Sequence, residues 1–228
     1  SRVSMPTPHT TEYKKYVETN GILFKSSRVN QGGAFMSNFW GETGGVTDNA
    51  RRSSVNAYDV DPSEGGFDAE SYHFVSVEHY FQWKKSGFTD TEFQTKMFID
   101  ASPRSSIDYK KLGSKAAYKV WKSKQASDKL SQVKAAERYA SSQKEFYKHS
   151  KQIMMDAIRY KFSDQNPSLV TALLSTGDKI LGEMNGRGKT VWDIMGHSGV
   201  GYNWLGEILM ERRAELMPGK SSDSYDSG

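Results

Sequence analysis

Apolar side chains recur at helical spacing in several stretches of the chain. In SVEHYFQWKKSGF (76–88), Val77, Phe81 and Phe88 form one stripe, with Ser76 as the N-cap and Glu78 in the first turn, where a helix favours a carboxylate. In SKQIMMDAIRYKF (150–162), Ile153, Ala157, Ile158 and Phe162 trace an amphipathic helix. Pro167 opens a further helix, PSLVTALLSTGD, that Gly177 closes, and YNWLGEILMERRAEL (202–216) completes the set. Weaker helical patterns run through TDTEFQTKMFIDA (89–101), which stops before Ser102–Pro103, and through 105–162, where the polar segment 123–147 predicts an exposed helix.

Short apolar runs predict strands at GILFKS (21–26), SVNAYDV (54–60), SYHFVS (71–76) and KILGE (179–183). The segment 42–72 is rich in Gly, Ser, Asp and Asn, and its length predicts a hairpin or an insertion. Glycine-punctuated loops occupy 30–45 and 185–203. Helices and strands are segregated, so the expected fold class is α+β: a predominantly helical single domain with a small mixed or antiparallel sheet. The expected boundaries are an N-terminal arm at 1–20, a domain at 21–217 and a disordered tail at 218–228.

Composition narrows this picture little. The 228 residues are 36% hydrophobic, a globular value, and the formal charge of +4 is compatible with anionic substrates or nucleic acid. No apolar run approaches the roughly 20 residues that span a bilayer, and the N-terminal residues do not read as a secretory signal. With no cysteine there is neither a disulfide framework nor a thiolate metal site. A cytoplasmic or nuclear setting is expected.

The motifs first exclude. GRGKT (186–190) has the end of a phosphate-binding loop without its first glycine, and no GxGxxG follows a strand. The five histidines are scattered, with no HExxH, so no metal is expected. Three constellations remain. Glu78, Gln82 and Lys85 fall at i, i+4 and i+7 and share one helix face. Asn38 sits among Phe35, Phe39 and Trp40 in AFMSNFW. The segment 175–203 offers backbone amides beside Thr176, Asp178, Glu183, Arg187 and Lys189, a composition able to cradle phosphates. On pattern alone, a solvated helix face and a surface loop are the better readings.

Together, AFMSNFW, SVEHYFQWKK, QIMMDAIRYKFSDQNPSLVTALLSTGDKILGE and GYNWLGEILMERR, in that order, resemble the NADAR (YbiA-like) family across about residues 21–216. The resemblance implies a mostly helical α+β domain, and no cofactor is expected. It also implies N-glycosidase chemistry, with ADP-ribose released from guanine bases in nucleic acid or nucleotide as the leading reaction. The alternatives are cleavage of a phosphoribosylated pyrimidine intermediate of riboflavin synthesis and non-catalytic binding of ADP-ribose. Matched one by one, Asn38, Glu78, Gln82, Lys85, Glu183, Trp192 and Asn203 fall on family motif positions. Three departures stand out: Phe146 occupies a position where relatives carry tryptophan, the acidic residue expected before Trp192 is replaced, with Asp193 following instead, and the 42–72 segment is expanded.

The chemistry implied assigns Glu78 to general acid/base work and electrostatic stabilisation. Lys85 is either a cation for phosphate or ribose, or an amine that forms a Schiff base with the opened ribose; Lys25 is a second amine. Phe35, Phe39 and Trp192 are candidates to stack on a base around Asn38. Arg28, Arg187 and Lys189 are candidates for the pyrophosphate.

Overall fold

The computed structural model describes residues 6–7, 10–24, 33–41, 58–61, 63–70, 72–86, 129–184, 191–196 and 199–219. The expected helix at 89–101 and the tail beyond residue 219 lie outside these residues.

The first helix, α1 (Thr11–Asn20), starts where the Thr10 hydroxyl accepts from the Tyr13 N–H at 3.1 Å. Its buried Tyr13 and Val17 pack with Ile180 and Ile194 in a small apolar cluster. Strand β1 (Gly21–Phe24) follows directly and pairs in parallel with β4 (Ile180–Glu183), Phe24 opposite Glu183. A 3-10 turn at Gly33–Met36 leads into the Ser37–Trp40 segment.

Strands β2 (Phe67–Ala69) and β3 (Tyr72–Phe74) form an antiparallel hairpin, as do β5 (Met195–Gly196) and β6 (Gly199–Val200). The strand content among the described residues is thus three two-stranded ladders of mixed sense. Of the strand expected at 54–60, the described Tyr58, Asp59 and Val60 are irregular, and Asp59 has φ 58°, which an extended chain does not adopt.

Helix α2 (Val77–Ser86) begins as the sequence predicts: the Ser76 hydroxyl accepts from the His79 N–H at 3.1 Å. Helix α3 (Lys129–Lys161) is a single unit of 33 residues. The exposed and amphipathic helices expected within 123–162 merge there, because no glycine or proline interrupts 129–161. Helix α4 (Pro167–Ser175) has proline in its first turn. Its first free amides are satisfied from a distant loop: Glu64 accepts from the Ser168 and Leu169 N–H groups at 3.1 and 3.0 Å, which also suits the helix dipole. Helix α5 (Trp204–Leu216) is the last helix among the described residues.

The main core lies between α2, α3 and the β2–β3 hairpin. Phe67, Phe74, Tyr80 and Trp83 pack there as an aromatic cluster with the partly buried Tyr160. Each such ring contributes roughly 1.5–3 kcal/mol by leaving water. Helix α5 packs on β4 and α3, bringing the end of β4 next to the start of α5.

Candidate active site

At the C-terminal end of β4, the Glu183 carboxyl feels the charges of two acids from distant parts of the chain, Glu78 and Asp193. Glu78 projects from the first turn of α2, and its N–H donates to the Asn38 carbonyl at 3.0 Å. Glu183 is the last residue of β4. Asp193 is fully buried in the segment after the glycine-rich loop. That segment is strapped on both sides. The Ile194 N–H donates to the Glu183 carbonyl at 2.8 Å, and the Asn203 N–H to the Asp193 carbonyl at 3.0 Å. The Trp204 and Leu205 N–H groups at the start of α5 donate to Val191 and Trp192 at 3.0 and 3.2 Å. A side chain at Gly201 would run into Asp193, so the return strand closes only with glycine there.

The electrostatic consequence falls on Glu183. Burial, then the charges of Glu78 and Asp193, push its carboxyl up to about 8. The Glu183 residue as a whole is half-buried. At neutral pH Glu183 therefore holds its proton beside a second carboxyl group, an arrangement that separates an acid from a base. Among the described residues, no group of three or more His, Asp or Glu side chains is placed to hold a metal ion.

The turn that carries Asn38 is gripped by α3. The fully buried Lys161 donates from Nζ to the Ser37 carbonyl at 2.8 Å and lies 5.0 Å from the Phe162 ring centroid. One turn-pair earlier, Met154 Sδ accepts from Asn38 Nδ2 at 3.6 Å. The other amide atom, Asn38 Oδ1, is buried with no hydrogen-bond partner among the described residues. Sequence reading missed Lys161. The signal was there: it lies three, four and seven residues after Ile158, Ala157 and Met154, inside the apolar stripe rather than opposite it.

Aromatic rings line the other side. Trp192 is partly exposed and meets Phe81 of α2 edge-on at 5.5 Å and Trp204 of α5 at 5.6 Å. Phe146 is buried against Phe81 at 4.9 Å, so the phenyl ring fills the second layer behind Trp192. Lys85 is partly buried, with Nζ 5.6 Å from the centroid of the Tyr147 ring.

Not every candidate is a surface group. Phe35 is fully buried, edge-on to Tyr58 and Phe162, so it has no face to offer a ligand; it supports the Asn38 turn from the core. Phe39 is partly exposed. Asn203 is fully buried with left-handed φ 56°, a conformation asparagine tolerates. Its Nδ2 donates to the Tyr13 hydroxyl at 3.2 Å and the Leu181 carbonyl at 3.0 Å, tying α1, β4 and α5 together. Gly206, one turn on, lies so close to Leu181 and Asn203 that a side chain would not fit. Gln82 lies within α2. Lys25, Arg28, Arg187 and Lys189 lie outside the described residues.

The chain matches the model of the NADAR domain over residues 27–217. No curated protein matches it. Its fold is similar to the NMR structure of the E. coli protein YbiA, at 20% identity and a TM-score of 0.50, over 94% of this chain and 89% of that one.

Proposed function

The chain belongs to the NADAR family, which is associated with N-glycosidase activity, and we propose that it hydrolyses the bond between ADP-ribose and guanine bases of nucleic acid or nucleotide. The observation that carries this reading is the Glu183 carboxyl, pushed up to about 8 by burial and by the charges of Glu78 and Asp193, with the partly exposed Trp192 adjoining Asp193 in the chain.

Cleaving a C–N glycosidic bond requires a proton on the leaving nitrogen, stabilisation of positive charge at the anomeric carbon, and a nucleophile at that carbon. Glu183, protonated at neutral pH, supplies the proton to the base nitrogen. Glu78 faces the developing cation and takes the proton of the attacking water. Water adds its hydroxyl to the anomeric carbon, and the base leaves with the proton from Glu183. The typical worth of such acid–base work is about 10²–10⁴-fold, so positioning supplies the rest. Trp192 stacks on a flat ring of the substrate, and the buried Asn38 Oδ1 accepts a hydrogen bond from it. Asp193 keeps the proton on Glu183 by repulsion. Asn203 and Phe35 hold the walls.

Lys85 lies on the same helix face as Glu78. In a covalent variant of the reaction its amine takes the place of water, forms a Schiff base with the opened ribose, and is released by hydrolysis. Borohydride reduction in the presence of ADP-ribose distinguishes the routes. A mass increase on Lys85 supports the covalent one, an increase on Lys25 moves the nucleophile there, and no adduct leaves water as the nucleophile.

The test of the reading itself is release of ADP-ribose from an ADP-ribosylated guanine oligonucleotide, with a phosphoribosylated aminopyrimidine as the competing substrate. Turnover of the first and not the second is expected. Turnover of the second alone reassigns the substrate, and tight binding of ADP-ribose with no turnover of either would make the domain a reader.

A further inference from the structure

Residues 144–151 of α3 read KEFYKHSK, and Lys144, Tyr147, Lys148 and Lys151 fall at i, i+3, i+4 and i+7 on one exposed stripe. Tyr147 is 57% exposed, and the other exposed aromatic among the described residues is Tyr202, at 48%. The two tyrosines flank the ring series that includes Trp192. On one side Phe146 touches Tyr147 at 5.5 Å; on the other, Trp204 meets Tyr202 at 6.4 Å. Lysine amines sit over both flanks, Lys85 5.6 Å from the Tyr147 centroid and Lys151 4.9 Å from that of Trp204. Two of the lysines pair with carboxylates, Lys148 with Glu145 at 2.8 Å and Lys151 with Glu207 at 3.2 Å. Such exposed pairs are weakly held and exchange readily for a phosphate.

We propose that this stripe, with Tyr202 and Trp204, is a binding surface for single-stranded nucleic acid, taking the nucleotides on either side of the base presented to Trp192. The inference rests on the reading above for its place in catalysis, but its chemistry is independent of it. Exposed aromatic faces stack on bases only when those bases are unpaired, and a row of lysines at one helical pitch follows a phosphate backbone. A substrate consisting of a nucleotide alone would need neither. Lys85 makes the surface continuous with the face that carries Glu78.

The experiment uses the full chain and a fluorescein-labelled, unmodified single-stranded oligonucleotide, with binding read by anisotropy across a salt series. Tyr147→Ala and Tyr202→Ala are each expected to weaken binding roughly tenfold. Lys148→Ala with Lys151→Ala is expected to flatten the dependence of log Kd on log salt by roughly 0.7 per lysine. The same sequence as a duplex, and polyglutamate as a non-nucleic polyanion, are expected to bind more weakly than the single strand. The proposal is overturned if the wild-type chain does not bind the strand, if the variants bind like wild type, or if duplex or polyglutamate binds equally well. Strand binding without release of ADP-ribose would sink the glycosidase reading and leave this surface standing. Turnover of an ADP-ribosylated mononucleotide with strand affinity untouched by the variants would do the reverse.

Discussion

The two sides of α2 are built on opposite terms. On one side, Tyr80 and Trp83 enter the aromatic core, where the Tyr80 hydroxyl donates to Glu70 at 2.8 Å and Lys84 reaches the same carboxylate at 2.6 Å. On the other side, the charge of Glu78 acts on the Glu183 carboxyl, which burial first and repulsion second keep protonated, and Oδ1 of Asn38, whose carbonyl accepts from the Glu78 N–H, has no partner among the described residues. Ten residues of helix thus carry a face that holds the fold and a face that the fold holds in place. Like-charged groups forced together and a buried acceptor left open cost stability, and such costs collect where a ligand is meant to meet them.

Substitutions that act on one face alone would sharpen this contrast. The largest effect is expected from Glu78→Gln, which should lower kcat by about 10²–10⁴ while thermal unfolding stays near that of wild type. A loss of fold with the activity would place Glu78 with the structural face. Trp83→Ala, on the core side, is expected to cost about 3–5 kcal/mol in denaturant unfolding. A cost below about 1 kcal/mol would show that the aromatic core does not depend on α2.

Glu183→Gln should move stability the other way. The carboxyl is raised to about 8 in the fold, whereas in the unfolded chain it titrates near the usual carboxylate value. The folded chain therefore holds a proton that the unfolded one has released, and the wild type loses stability as pH rises between those values. Below the unfolded value both states are protonated and the group has no effect. The glutamine variant is thus expected to be more stable than wild type at pH 8 by a few kcal/mol and to match it near pH 4, as read from melting curves at both pH values. Equal stability at pH 8 would mean that Glu183 is ionised without strain. The smallest effect, about 1 kcal/mol, is expected from Tyr80→Phe, which removes only the hydroxyl bond to Glu70; chemical denaturation resolves it.

The local signals were readable, and the long-range ones were not. The start of α2 followed from Ser76, that of α4 from Pro167, and its end from Gly177, because caps and turn residues act within one helical turn. Strand β2 escaped because three residues carry no period, and the Asp59 turn because nothing local announces a left-handed aspartate. The Glu78–Lys85 face could be drawn from spacing alone. The electrostatic effect of Glu78 and Asp193 on Glu183 could not, since it depends on how the β1–β4 ladder and the packing of α5 on it fold distant parts of the chain together. Resemblance to the family matched Glu183 to a motif position, while Asp193 entered only as a departure from the family pattern. Lys161 shows the converse: a lysine within an apolar stripe reads as a flaw in the pattern until the Ser37 carbonyl is found opposite it.

The most direct measurement is the pH dependence of single-turnover ADP-ribose release from an ADP-ribosylated guanine oligonucleotide. The rate is expected to fall as pH rises through about 8, where Glu183 loses its proton, and the Glu183→Gln variant should lack that descending limb. Release that continues undiminished well above pH 8, or no release at any pH, would contradict the assignment of Glu183 as the acid beside Glu78.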